Sequence, residues 1–284
     1  KDEYETFHPN IFEIGIDKNT FGSENLGEYI RKSYRGGWCY VVPEKTNKRF
    51  KSGTTADVNS LYPSVMRTEL LPYGTPKFFE GNYINIPEFV RNEYPLYIQR
   101  LTCSFKIKEG KIPTIQIKHS RFVDNEYLTD SGDEPVALTL TSIDLKLFFE
   151  QYDVWDLHYE SGWKFKGMRG LFNEYIDKWI TVKNEATISG NKGMRQVAKI
   201  LLNSLYGKFA TSMDVQSKIP YLEDDVVKYR LGEKRQKDGV FLPMGCFITA
   251  YARDKTVRTS QAIKDYSIKK YGIDMYCYSD TDSV

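Results

Sequence analysis

Histidine and cysteine are scarce in this chain, and the few present lie far apart. His8, His119 and His158 are isolated, and Cys39, Cys103, Cys246 and Cys277 form neither a Cys-x-x-Cys pair nor a Cys/His metal spacing. This excludes a zinc module of the usual spacing and a disulfide framework, and the expectation is a reduced, cytosolic chain. No signal-peptide pattern and no apolar run long enough to cross a membrane is read anywhere, so no membrane partner is expected. Internal repeats and low-complexity tracts are missing too. Charge of one sign is not in excess: 40 Lys+Arg stand against 38 Asp+Glu, net +2, which by itself diagnoses no nucleic-acid protein. What remains is 284 residues, 40% hydrophobic and 27% charged, enough for one or two globular domains with a real core. The chain opens at Lys1 without Met and stops at Val284, one residue after a hairpin-like motif, and reads as a piece of something longer.

That motif is Tyr278-Ser279-Asp280-Thr281-Asp282-Ser283. A strand over 275–278 is expected to deliver it, and in extended backbone Asp280 and Asp282 would leave on one face. Two carboxylates there repel unless a proton, a basic side chain or a divalent cation lies between them. Alone, Asp-Thr-Asp would be a polar hairpin turn. Two other stretches change that reading. A strand over 54–58 ends at Asp57, with Asn59-Ser60 starting a turn and Pro63 in the first turn of a short helix. Tyr62 follows and could lie beneath a bound sugar; a capping Asp and a core Tyr are the plain alternatives.

The segment 164–208 is the most basic, nine Lys/Arg against three Asp/Glu. Helices are expected over 171–183 and about 191–206, with Gly207 as the C-terminal cap. On the second helix Arg195, Lys199, Asn203 and Tyr206 share one face, and Val197, Ile200, Leu201 and Leu205 form the apolar side. Two cations, an amide and a phenol suit a triphosphate with a base stacked beyond it.

Elsewhere the signals are weaker. Tyr34-Arg35-Gly36-Gly37 could turn sharply or bring backbone, ring and guanidinium to a nucleic acid, or be a plain linker turn. Strands are expected over 11–16, 38–42, 97–107, 112–117 and 136–141. Helix is expected over 26–32, 142–152 and 245–263, with a basic loop at 45–53.

Asp57-Val58-Asn59-Ser60-Leu61-Tyr62-Pro63-Ser64, Lys199-Ile200-Leu201-Leu202-Asn203-Ser204-Leu205-Tyr206-Gly207 and the Asp280-Thr281-Asp282 stretch resemble, in order, the three polymerase motifs of family B DNA polymerases. Tyr34-Arg35-Gly36-Gly37 resembles the YxGG loop of the protein-primed branch of the phi-29 phage type. Leu71-Pro72-Tyr73-Gly74-Thr75-Pro76 and Phe247-Ile248-Thr249-Ala250-Tyr251-Ala252-Arg253 are similar as well.

The resemblance implies an α+β fold: a right-hand palm of antiparallel sheet with helices, helical fingers and two inserted subdomains. The implied plan is 1–37 as the end of an exonuclease module with the YxGG loop, 38–109 as first palm part, and 110–165 as a terminal-protein-region insertion. Then come 166–209 as fingers, 210–244 as a second insertion and 245–284 as second palm part. It implies DNA-directed DNA synthesis by a monomer in the host cytoplasm, with primer-template DNA, dNTPs and a priming terminal protein as partners.

Two Mg²⁺ ions, with Mn²⁺ as a substitute, would stabilise the attacking and leaving oxygens. Asp57, Asp280 and Asp282 would be catalytic, with Asp57, Asp282 and the Val58 carbonyl as metal ligands. Val58, Tyr62, Lys183, Arg195, Lys199, Asn203 and Tyr206 would bind the nucleotide. Tyr34, Arg35, Gly36, Gly37, Ser60, Gly207, Thr249 and Arg253 would bind DNA. Arg195 stands where the family carries Lys. Two other readings are a fragment that binds DNA or terminal protein without catalysis, and a two-metal phosphodiesterase, which has no need of the Lys199/Asn203/Tyr206 stripe.

Overall fold

A computed structural model describes residues 25–116, 127–211, 214–236 and 240–284. The expected strand over 11–16 lies outside them, as does the end of the one over 112–117. The spine is a 30-residue helix, Leu242–Tyr271, which begins with Pro243 in its first turn and stops at Gly272 with φ 72°. A left-handed C-terminal residue is glycine's usual place. Residues 242–250 of this helix are buried without interruption, so its first half is surrounded by protein. Around it the chain lays down, in order, α1 (Leu26–Ser33), β1 (Cys39–Val41), α2 (Leu61–Thr68), β2 (Leu71–Glu80), α3 (Glu88–Glu93) and β3 (Leu96–Ile107). There follow β4 (Ile115–Gln116), β5 (Tyr127–Leu128), β6 (Val136–Thr141), α4 (Ser142–Gln151), β7 (Tyr152–Met168), α5 (Asn173–Ile188) and α6 (Lys192–Phe209). Then come β8 (Asp214–Glu223), β9 (Val226–Gln236), the spine helix, now α7, and β10 (Tyr278–Asp280).

The main sheet is antiparallel, in the order β2-β7-β3-β6. One core joins it to the helices through Ile30, Val65, Leu71, Ile98, Phe165, Ile176, Leu202 and Phe247. A second core lies between β3, β6 and α4 (Leu101, Phe105, Leu140, Phe148, Tyr152). A third, with Trp38, Leu147, Val257 and Tyr276, sits beneath β1 and β10. The main sheet runs across both borders of the expected insertion at 110–165: β6 lies inside them, β3 before them, and β7 spans residue 165. The hydrophobic effect that buries Ile98 and Phe165 in one core therefore ties that segment to the main sheet. In contrast, among the described residues β8 and β9 pair only with each other.

Three local expectations change. Residues 54–58 form no strand; a single antiparallel bridge, Asp57 to Ser283, is all the ladder they make. Gly207 does not cap α6, which continues to Phe209. The apolar stripe of α6 is also rotated. Ala198, Leu202 and Phe209 are buried, whereas Val197 and Ile200 are 46% and 55% exposed. Leu205 and Tyr206 pack beside the buried set, so the helix turns its small and terminal apolar residues inward.

Candidate active site

The acidic motif runs along β10 to Asp280 and then turns, while residues 275–277, expected as strand, are not part of that strand. Asp280 N–H donates to Ser283 O (3.0 Å), Ser283 N–H returns to Asp280 O (3.0 Å), and Thr281 at the corner has φ 57°. The alternation argument for Asp280 and Asp282 therefore fails, because a corner separates them. A β-branched residue in the left-handed region costs about 1–3 kcal/mol and persists only where its surroundings hold it. Here Thr281 N–H donates to Trp38 O (2.9 Å), and Thr256 Oγ1 donates to Thr281 O (2.7 Å). Gly37 leaves the room: a Cβ there would lie 2.5 Å from Thr281 Oγ1 and 2.7 Å from its Cγ2. Gly37→Ala is accordingly expected to destabilise the fold by about 1–3 kcal/mol, because the added methyl overpacks the turn. Denaturant midpoints measure the effect, and a variant as stable as the native chain would contradict it.

Asp57 meets the turn through backbone pairing. Val58 N–H donates to Asp282 O (2.7 Å), Ala56 N–H to Val284 O (2.8 Å), and Val284 N–H to Ala56 O (2.9 Å). Residues far apart in sequence are thus laced together at the acid positions. Partial burial, then the neighbouring charges of Asp57 and Asp280, push the Asp282 carboxyl up, while Lys199 pulls it the other way. Among the described residues no three His, Cys, Asp or Glu side chains form a ready metal cage. Hard carboxylate oxygens repelling one another still suit Mg²⁺ or Mn²⁺, since Mg²⁺ is held by one or two carboxylates and completes its shell from water and substrate phosphates. Asp57 and Val58 are exposed.

A cationic side faces the acids. Lys183 Nζ donates to Asn59 Oδ1 (2.9 Å) and Ser60 Oγ (3.0 Å), which ties α5 to the turn before α2, where Ser60 has φ 61°. Burial, then the charges of Arg195 and Lys199, push the Lys183 ammonium down. The three expected cations are therefore gathered within electrostatic reach. Arg195, Lys199, Asn203 and Gly207 are exposed along α6. Beneath them Tyr62 and Tyr206 stack, centroids 4.5 Å apart at 24°, and Tyr206 Oη hydrogen-bonds Tyr34 Oη at 2.7 Å. Burial pushes the Tyr62 phenol up to about 12. Burial and then the Tyr34 hydrogen bond raise Tyr206 as well, so both rings are neutral near pH 7.

A family model described as DNA polymerase type B, organellar and viral, matches residues 10–282. The chain belongs to that family. This type B polymerase chain is 45% identical to the DNA polymerase of Bacillus phage phi29, over 96% of its own length and 49% of that protein's. It is 32% identical to the DNA polymerase of Streptococcus phage Cp-1, over 80% of its length and 38% of that protein's. Among solved structures it is similar to phi29 DNA polymerase complexed with primer-template DNA and incoming nucleotide substrates. There the TM-score is 0.81 at 42% identity, with all of this chain and 45% of the other covered. The complex of the same enzyme with single-stranded DNA gives 0.76 at 39%, covering all of this chain and 44% of the other. The mixed helical and antiparallel fold read from the sequence is the one these structures share. The chain spans about half the length of the curated relatives it matches, 49% for the phi29 protein.

Three expected DNA contacts of this type B polymerase chain are inside the protein. Thr249 is fully buried and its Oγ1 donates to Gly245 O (3.0 Å) within α7. Arg253 is buried against Asp144, Nη2 donating to Oδ2 at 2.8 Å and Nε to Oδ1 at 3.1 Å. Its Nη1 donates to the carbonyls of Arg35 (2.6 Å) and Gly36 (2.8 Å). Arg35 is buried too, donating to Ser33 O (3.2 Å) and Thr139 O (3.0 Å), with its pKa pushed down to about 10 chiefly by burial. Arg253 thus holds the Tyr34–Gly37 loop from within, through the carbonyls of Arg35 and Gly36. Asp144, which anchors the clamp, escaped sequence reasoning because Thr141-Ser142-Ile143-Asp144 reads as an ordinary helix start. The Thr141 hydroxyl indeed caps α4, accepting from Asp144 N (3.1 Å) and donating to Asp144 Oδ2 (2.8 Å).

Proposed function

We propose that this chain carries the polymerising centre of a DNA-directed DNA polymerase that adds deoxynucleotides to a primer 3′ hydroxyl. The observation that carries the reading is the lacing of Asp57 to the Asp280–Ser283 turn opposite Lys183, Arg195 and Lys199. Asp57, Asp282 and the Val58 carbonyl would hold two Mg²⁺, or Mn²⁺ in their place, with Asp280 supporting. The ions, when bound, supply charge stabilisation for the attacking and leaving oxygens of an in-line displacement.

The protein's own part is positioning and electrostatics. Lys183, Arg195 and Lys199 neutralise the triphosphate, and Asn203 and Tyr206 lie beside the base and sugar. Tyr62 closes the sugar end, where its ring would meet a ribose 2′ hydroxyl. Tyr34, the two glycines, Ser60 and Gly207 border the DNA. The cations and the stacked tyrosines favour synthesis over the two-metal phosphodiesterase reading, which leaves them without a task.

The finer reading is a monomer in the host cytoplasm that also starts chains on a terminal-protein hydroxyl. Segments 110–165 and 210–244 would grip that protein or DNA, between palm parts 38–109 and 245–284 and fingers 166–209. The likeness to phage polymerases of this branch and the self-paired β8–β9 hairpin support it.

Primer extension by the full-length polypeptide with dNTPs and Mg²⁺ tests the reading. Template-directed growth is expected, and degradation of the nucleic acid without growth would point to the phosphodiesterase. In the same assay Tyr62→Val is expected to raise ribonucleotide use about 100-fold relative to deoxynucleotides. An unchanged ratio would remove Tyr62 from the sugar end.

A further inference from the structure

Asp280 has a neighbour to which the polymerase reading gives no part. The antiparallel register of β1 and β10 sets Cys39 directly opposite Asp280, so their side chains stand on one face of the two-stranded ladder. The Cys39 thiol lies 3.1 Å from Asp280 Oδ1, as donor to carboxylate. The Thr281 hydroxyl donates to the same oxygen at 3.3 Å, and the sulfur and this hydroxyl are themselves 3.5 Å apart. Two donors, in contact with each other, therefore close on Oδ1. Burial raises the Cys39 pKa, and a raised thiol remains a protonated donor rather than a reactive thiolate. The backbone beneath is fixed from two further directions, by Trp38 O on Thr281 N–H and by Thr256 Oγ1 on Thr281 O.

We propose that Cys39 is a positioning residue for nucleotide addition: its thiol, with the Thr281 hydroxyl, ties down Oδ1 of Asp280 and fixes the plane in which the other oxygen is presented. The inference rests on the polymerase reading and goes beyond it, because Cys39 touches neither nucleotide nor DNA there. A carboxylate free to spin about its last bond would lose the orientation on which a group supporting metal ligands depends. Outer hydrogen-bond partners of that kind are worth about 10–100-fold in metal affinity or activity. Cysteine here is a weak but compact donor, and a hydroxyl in its place keeps the function while an apolar side chain of similar size does not.

The test compares Cys39→Val with Cys39→Ser in the full-length polypeptide. Val is expected to lower kcat about tenfold and raise the Mg²⁺ concentration for half-activation, with KM for dNTP little changed. Ser is expected to recover most of both. In an Asp280→Asn background, Cys39→Val should add no further loss. Equal losses for Val and Ser, or a Val loss that persists in full in that background, would overturn the proposal.

A readout free of activity separates this from the function itself. The infrared S–H stretch, assigned to Cys39 by its disappearance in Cys39→Ser, is expected at low frequency and should rise in Asp280→Asn. An unmoved band means that the thiol does not hold Asp280, whether or not the chain makes DNA. If the native polypeptide makes no DNA while the band shifts as expected, the polymerase reading has failed and the hydrogen bond stands, but the assigned role in nucleotide addition falls with the reading.

Discussion

Asp282→Ala in the full-length polypeptide is expected to cut the turnover of nucleotide addition more than about 1,000-fold while primer-template binding survives. That factor corresponds to about 4 kcal/mol of lost transition-state stabilisation. The expectation follows from the placement of Asp282. Its carbonyl is laced to Val58 N–H, so the turn keeps its shape when the carboxylate goes, but the like charges of Asp57 and Asp280 lose their third member. With the carboxylate removed, the neutralising power for a triphosphate shell lies unopposed on the Lys183 side. Single-turnover kinetics together with a DNA-binding titration separate the two effects. Binding lost in parallel with turnover would make Asp282 structural, and normal extension would remove it from the chemistry.

The second large effect is on stability. Arg253→Met is expected to destabilise the fold by about 3–5 kcal/mol, because Asp144 would be left charged and unpaired inside the protein. Both side chains of the pair are nearly closed to water, at 5% and 9% exposure, and Asp144 accepts three hydrogen bonds from the guanidinium. Two loop carbonyls, those of Arg35 and Gly36, would lose their donor in the same step. Replacing both partners, Arg253→Met with Asp144→Leu, should recover only part of the stability, since Arg35 then stays buried without the Asp144 charge that faces it. The recovered fold should still extend primers poorly, because the Tyr34–Gly37 loop has lost its anchor. Denaturant midpoints measure the first effect and extension rates the second. A single variant within about 1 kcal/mol of native would show that the buried pair is not what holds this region.

What the sequence made legible, and what it hid, divides along physical lines. The three acids, the α6 cations and the two tyrosines could be found because they stand in short, ordered stretches. The structure places Lys183 beside Asn59 and within reach of the charges of Arg195 and Lys199. Strand β3, strand β6 and helix α4 were read within a residue or so, since alternation and capping are local signals. The 17-residue strand β7 was missed. Its first half is largely exposed, Trp155 and Leu157 included, so no clean alternation marks it, and the strand exists because β2 and β3 pair with it from both sides.

Arg253 and Thr249 were placed on DNA because the stretch Phe247–Arg253 resembles a family motif that implies that role. Only the location of Asp144, more than a hundred residues away in sequence, turns that arginine inward. The rotation of the apolar stripe on α6 has the same origin. Val197 and Ile200 satisfy a helical period, but α5 and α7 approach from the side of Ala198 and Leu202. The turn at Thr281 was hidden because Asp-Thr-Asp is compatible with strand or corner, and Gly37, some 240 residues away, is what makes room for the corner.

The central claim is that Asp57 and Asp282 serve one shared ion site. Mn²⁺ binding, followed by electron paramagnetic resonance with a saturating dNTP, tests it across the native polypeptide, Asp57→Ala, Asp282→Ala and the double variant. Each single change is expected to weaken binding by about tenfold or more, and the double change should fall well short of the product of the two. Effects that multiply in full, as independent sites do, or Mn²⁺ binding that ignores Asp57 would contradict the account.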